Sequence, residues 1–195
     1  MPDRVTDEWL LERAASGDEA AFQVLYERYR DPIFRFAYRL LGSSEAAEDV
    51  THDCFVSLIR RPRNFDPKRG SLRTYIYAAA RNLALKLNTR ARREAAIEEV
   101  VERPGILDLQ GPMALVLDRE LRAAIEEAVA ALPPLQREAL VLFEYEELPL
   151  SEISVIVGAD VGAVKARLHR AREQLRRSLA PYFRIGREAV RVKRA

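Results

Sequence analysis

Apolar residues recur along this chain at intervals of three and four, the spacing of one helical stripe, and no stretch alternates with period two for long enough to be a strand. Asp18 is placed to cap a helix over about 19–29, with Phe22, Leu25, Tyr26 and Tyr29 on one side. Asp31-Pro32 predicts a kink or restart, because proline has no N–H to donate. The pattern then runs through Phe34 and Tyr38 to Leu41, and Gly42 stops it. A second helix from Ser43-Ser44-Glu45 to about Arg60 turns Ala47, Val50, Cys54 and Leu58 inward. Pro62, Pro67 and Gly70 make 61–70 a loop, after which Ser71 caps a helix to about 90 with Leu72, Ile76, Ala79, Leu83 and Leu87 on its core side.

The pattern then breaks at Pro104-Gly105 and Gly111-Pro112, among Glu98, Glu99, Glu102 and Asp108. It resumes over 118–131 with Leu121, Ile125 and Val129, is interrupted at Pro133-Pro134, and continues over 135–147. A short helix over 151–157, a turn at Gly158-Ala159-Asp160 and a last helix over 161–179 follow, and Pro181 ends the series. The expected fold is all-α: two small helical domains, 5–92 and 118–180, a flexible acidic linker over 93–117 and a basic, frayed tail over 181–195.

Two helices joined by about three residues that include a glycine form a helix-turn-helix. Ser151 is expected to cap the first helix, Gly158 to supply the positive φ that leaves it, and Asp160 to cap the second. At about 100° per residue, Val164, Leu168, Ala171 and Leu175 cluster on one side of that second helix. The other side presents Gly162, Lys165, Ala166, His169 and Glu173, flanked by Arg167, Arg170 and Arg172. Small, cationic and hydrogen-bonding residues opposite an apolar stripe suit a helix lying in the DNA major groove.

Charge sharpens this picture. The chain has 195 residues, 48% of them hydrophobic and 32% charged, with a formal net charge of only +2. That balance conceals four blocks. Residues 1–59 carry 6 basic and 12 acidic groups, and 60–93 carry 11 basic groups and the single acid Asp66. Residues 94–159 carry 4 basic and 14 acidic groups, and 160–195 carry 11 basic and 3 acidic. Two separated basic blocks point to polyanion contact, since each cation beside a phosphate releases counterions. The single cysteine, Cys54, excludes an internal disulfide and a cysteine zinc site, and it reads as a small core residue. No cofactor or metal is called for. Paired catalytic carboxylates, a Ser/His/Asp set, a phosphate loop and HExxH are all missing from the sequence, so no enzyme is expected. An acidic start without an apolar run and the lack of any long apolar segment predict a cytoplasmic protein without membrane insertion. Trp9 reads as an N-terminal packing anchor, and Glu144, Glu146 and Glu147 as a solvated helix end.

DVGAVKARLHRAREQLR (160–176) resembles the recognition helix of bacterial RNA polymerase sigma factors, and ALPPLQREALVLFEYEELPLSEIS (131–154) resembles the rest of their promoter-binding region four. GDEAAFQVLYERYRDPIFRFAYRLLG (17–42), AEDVTHDCFVSLIR (47–60) and FDPKRGSLRTYIYAAARNLAL (65–85) resemble successive parts of region two. No region one or three is visible, which points to the short extracytoplasmic-function (ECF) class. Tyr75 stands where the family usually has Trp, and Ala163 and Ala166 stand where hydroxyl residues are commoner.

The resemblance implies that Glu48, Asp49 and Asp53 meet a basic coiled coil on core RNA polymerase. It implies that Asn64, Lys68, Arg69, Ser71, Tyr75, Asn82 and Lys86 serve the melted minus-ten strand, and that the recognition helix reads the minus-thirty-five duplex. It further implies an acidic linker threading a basic polymerase channel, and an anti-sigma factor as a partner. A free-standing helix-turn-helix regulator is the alternative, but 17–90 resembles neither a sensor nor a dimerisation module. A protein-only adaptor is disfavoured by the basic recognition face.

Overall fold

The computed structural model describes residues 6–95 and 116–182, and every regular element among them is helical. The first domain comprises α1 (Asp7–Ala15), α2 (Glu19–Leu41), α3 (Ser44–Arg60), a single 3₁₀ turn (Pro62–Asn64) and α4 (Leu72–Ala95). The second comprises α5 (Val116–Ala130), α6 (Pro134–Leu140) continued by a wider turn over Val141–Tyr145, α7 (Leu150–Val157) and α8 (Val161–Ser178). The expected linker and basic tail lie outside the described residues except at their edges, where 93–95, 116–117 and 181–182 are helical.

Helix α1 was not legible as a helix. Thr6 caps it by accepting the Trp9 N–H, and Asp7 accepts hydrogen bonds from Arg28 and from the Tyr29 hydroxyl of α2. Leu10 and Leu11 anchor it, whereas Trp9 is 48% exposed with Arg13 over its ring, so the expected anchor is its neighbours. Helix α2 runs unbroken through Pro32, where a kink or restart was expected. Leu25, Tyr29, Ile33 and Phe36 form one continuous buried stripe across the proline, and their burial outweighs the missing backbone bond. Asp18 accepts from Ala21 N–H as the α2 cap, and Gly42 ends the helix at φ 73°.

Helices α2, α3 and α4 pack around Phe55, which meets the rings of Tyr26 at 4.9 Å and Phe22 at 6.3 Å, and around Phe36, edge-on to Tyr77 at 5.3 Å. Cys54 is buried on α3, as expected of a core residue, and burial pushes its thiol up to about 12. The inward face of α4 is Leu72, Ile76, Tyr77, Ala80 and Ala84, with Ala79, Leu83 and Leu87 only half-buried beside it. In the second domain the expected helix over 135–147 loosens after Leu140 and ends in Glu147 at φ 51°, which lets Leu148 N–H reach the Leu142 carbonyl at 3.0 Å. α7 begins at Leu150 after Pro149 without a side-chain cap, so Ser151 lies inside the first turn rather than capping it. The two domains pack on each other, α4 against α7 and α2 against α5 and α6, and their apolar cores are continuous.

Phe36→Ala removes a fully buried ring at the centre of the first domain. It is expected to cost about 3–5 kcal/mol, read as a shift of the urea unfolding midpoint with far-ultraviolet helicity retained in water.

Candidate nucleic-acid interface

Geometry at the helix-turn-helix follows the sequence closely. Gly158 leaves α7 at φ 63°, and the Asp160 carboxylate accepts the Ala163 N–H at 2.8 Å to open α8. Val164, Leu168 and Ala171 are buried against α6 and α7, and Leu175 packs at their edge. Gly162, Lys165, His169, Arg170 and Arg172 are exposed, and Ala166 and Arg167 are half-buried. Gly162 has a local reason besides close approach of a ligand, since a Cβ there would lie 2.9 Å from the Asp160 oxygen that caps the helix. Lys165, His169 and Arg172 border one cavity of about 370 Å³ floored by Phe143, Leu150 and Leu168. Arg172 forks onto the Glu144 carboxylate at 2.6 and 3.0 Å and stacks over Phe143 at 5.2 Å, with both charged groups still about half exposed.

On the first domain, Asn64, Arg69, Ser71 and Tyr75 come together around a cavity of about 260 Å³. Ser71 accepts the Thr74 N–H at 3.2 Å, so the start of α4 fixes one wall, and Tyr75 is held edge-on to Phe65 at 5.7 Å. Lys68 shares the loop and its N–H is held by the Asp66 carboxylate at 2.9 Å, leaving its side chain exposed. Asn82 and Lys86 are exposed farther along α4, and Lys86 instead borders a groove with Asp53 of α3. Glu48, Asp49 and Asp53 form an exposed acidic face on α3, with His52 beside them. Of the two tyrosines on α4, Tyr77 is core and Tyr75 is half-buried at the cavity.

A polar network between the domains was not found from the sequence. Arg81 of α4 donates to both oxygens of Glu138 on α6, at 2.7 and 3.1 Å, and Arg167 of α8 reaches the same carboxylate at 3.2 Å. Glu138 is only 3% exposed. Glu146, expected to be solvated, is buried instead. It accepts the Tyr77 hydroxyl at 2.5 Å and faces Arg39 at 3.8 Å, while Arg73 donates to its backbone carbonyl. Burial raises the Glu146 carboxyl above its ordinary range and raises the Tyr77 phenol as well. Thr74 donates to Glu152 of α7 at 2.6 Å, and Arg137 donates to the Leu40 carbonyl at 3.0 Å. The one signal available was Glu138 itself, a carboxylate flanked by Leu135, Ala139, Leu140 and Val141.

Among the described residues, no group of His, Cys, Asp and Glu is arranged to hold a metal ion, and no helix is long and apolar enough to cross a membrane. Residues 25–94 match the family model Sigma-70 region 2, and 122–175 match Sigma-70, region 4. The chain is 34% identical over 174 residues to the ECF RNA polymerase sigma factor SigE of Mycolicibacterium smegmatis, covering 86% of this chain and 66% of that protein. It is 31% identical over 177 residues to the ECF RNA polymerase sigma factor SigW of Bacillus subtilis, covering 87% of this chain and 94% of the relative. Its fold is similar to that of the sigma factor RpoE from Bartonella quintana, solved with the anti-sigma factor NepR. There the TM-score is 0.70 at 21% identity, over 82% of this chain and 96% of that one.

Asp160→Ala removes the bond that opens α8 and is expected to cost about 1 kcal/mol, read by urea denaturation. Asp160→Asn keeps an acceptor at that place and should recover most of the loss.

Proposed function

The chain belongs to the ECF RNA polymerase sigma factors, and from that premise we propose how its parts divide the work of starting transcription. The first domain (5–92) docks on core polymerase through Glu48, Asp49 and Asp53, which present three like charges to a basic partner. Asn64, Lys68, Arg69, Ser71, Tyr75, Asn82 and Lys86 hold the melted minus-ten strand, where aromatic rings and cations suit unstacked bases and their phosphates. The second domain (118–180) sets α8 against the minus-thirty-five duplex. Lys165 and His169 face base edges, Gly162 and Ala166 allow close approach, and Arg167, Arg170 and Arg172 hold phosphates. The acidic linker over 93–117 occupies a basic channel of the polymerase, and the basic tail follows it. The protein works in the cytoplasm, catalyses no chemistry itself and is held inactive by an anti-sigma factor, as the relative solved with NepR is bound by one.

The observation that carries this reading is the pairing of two helical, promoter-type modules in the order of the family, each containing a basic segment (60–92 and 160–180), with an exposed acidic helix face on the first. Run-off transcription with core polymerase on a promoter library tests it. Promoter-specific transcripts that require the chain are expected, and their absence overturns the reading. Asp49→Lys with Asp53→Lys should weaken core binding about tenfold or more, because like charges placed together cost several kcal/mol. Unchanged affinity would remove this face from the docking surface.

The two classes of contact on α8 should fail differently. Lys165→Ala and His169→Ala are expected to relax base preference at one or two upstream positions, by roughly 1–3 kcal/mol of discrimination each. Arg172→Ala should weaken all promoters evenly and lower the salt slope by about one. A promoter-library selection at two salt concentrations separates these outcomes.

A further inference from the structure

We propose that Glu144 is a positioning residue of the upstream-element interface: it holds Arg172 to one orientation and so sets how well α8 tells its own DNA element from any other duplex. The proposal rests on the reading of α8 as the major-groove helix and of Arg172 as a phosphate contact.

A carboxylate at a surface that meets phosphates repels the ligand, so its presence there calls for a physical reason. Glu144 lies on the wider turn Val141–Tyr145, where the Glu146 N–H bonds the Val141 carbonyl at 3.1 Å. A turn closed over five residues rather than four carries one extra residue and puts side chains where a regular helix would not. Phe143 and Glu144 meet α8, whereas Glu146 is buried against the first domain. The Arg172 Nε–H and an Nη2–H converge on one oxygen of Glu144, Oε1, at 3.0 and 2.6 Å, and the guanidinium lies over the Phe143 ring at 5.2 Å. A bond along one edge and a ring beneath fix both the direction and the plane of the group. Both charged side chains are about half exposed, and such a pair adds little to folding stability. Its effect is on where the cation points, and it stands beside Lys165 and His169 around one cavity.

A guanidinium carries five N–H donors in a rigid fork. Two of them are used on Glu144, and the rest stay free for a phosphate. Because the held edge cannot swing, the free edge meets a phosphate only where the duplex lies in one register across α8. On a duplex docked in any other register, the Glu144 charge offsets that of Arg172 and the pair contributes little. An unrestrained arginine would follow whichever phosphate came near and strengthen binding to all sequences alike, since non-specific binding depends on the cations presented. Glu144 therefore withholds a cation from the wrong DNA, which is the repulsive element that discrimination needs besides the attractive one.

The test uses the full chain assembled with core polymerase. The probes are a fluorescein-labelled promoter duplex recovered from run-off transcription on the library, and the same duplex with its upstream element scrambled. Both share the minus-ten element, so the ratio of their affinities reads α8. Glu144→Gln should tighten binding to the scrambled duplex and steepen its salt slope by about one. It should lower the affinity ratio about fivefold, within the usual coupling between contacting residues. A merely structural role for Glu144 predicts the opposite, weaker binding to both probes. Phe143→Leu removes the ring without a change of charge and should lower the ratio in the same direction. Arg172→Ala lowers the ratio by itself, and adding Glu144→Gln should lower it no further. Glu147→Gln removes the same charge from an exposed position of the same acidic run and should leave the ratio at the wild-type value. An unchanged ratio in Glu144→Gln or Phe143→Leu, an equal fall in Glu147→Gln, or a further fall in the Arg172→Ala background overturns the proposal. A promoter whose ratio ignores Glu144 sinks this inference alone, whereas a library that yields no promoter sinks the functional reading and this inference with it.

Discussion

Glu138 is a charged group with almost no access to water, and the arrangement of the two domains depends on how its charge is met. A buried carboxylate without a partner is far too costly to persist. Here Arg81 arrives from the first domain and Arg167 from the last helix of the second, and both are themselves mostly buried. Exchanging such a network for apolar residues is often neutral or stabilising, so its contribution lies less in net stability than in register. Only one placement of α6 against α4 and α8 satisfies all three groups. Glu146 repeats the logic a short distance away, between the Tyr77 hydroxyl and Arg39, which stacks on Tyr145 at 4.1 Å.

Helix α4 is consequently two-sided. Leu72, Ile76, Ala80 and Ala84 tie it to α2 and α3, while Arg73, Thr74 and Arg81 meet the second domain. Tyr77 belongs to both sides, with its ring against Phe36 and its hydroxyl on Glu146. Because Ser71 fixes the start of the same helix, the cavity beside Tyr75 is held on a rigid frame rather than on a free loop. The acidic face of α3 lies on a different helix and faces solvent.

The helix-turn-helix, the basic blocks and the buried stripe of α3 were legible because each depends on local spacing or on composition. Gly158 and Asp160 have their geometry from residues within three or four positions of themselves. Misreadings fell where distant packing competed with a local rule. Pro32 should interrupt a helix, yet Ile33 and Phe36 continue the buried stripe of Leu25 and Tyr29 across it. Two adjacent leucines, Leu10 and Leu11, inside an acidic segment carry too short a pattern to announce α1, and the larger Trp9 beside them is the one left exposed. Ser151 is a good cap residue, but Pro149 already fixes the backbone that starts α7.

By itself, then, the sequence determined an all-α chain with two helical modules, the groups on each face of α8 and the charge that each surface carries. These follow from periodicity and side-chain chemistry, which are properties of short windows. Tertiary structure alone decided which charges meet each other. Glu144 and Glu146 are two residues apart in one acidic run, and nothing local distinguishes them. One lies at the surface against Arg172, and the other is buried under Tyr77 and Arg39. That difference arises because residues about 70 positions away are brought over one of them and not the other, and pairing across such a separation is set by the packing of whole helices rather than by any pattern within them.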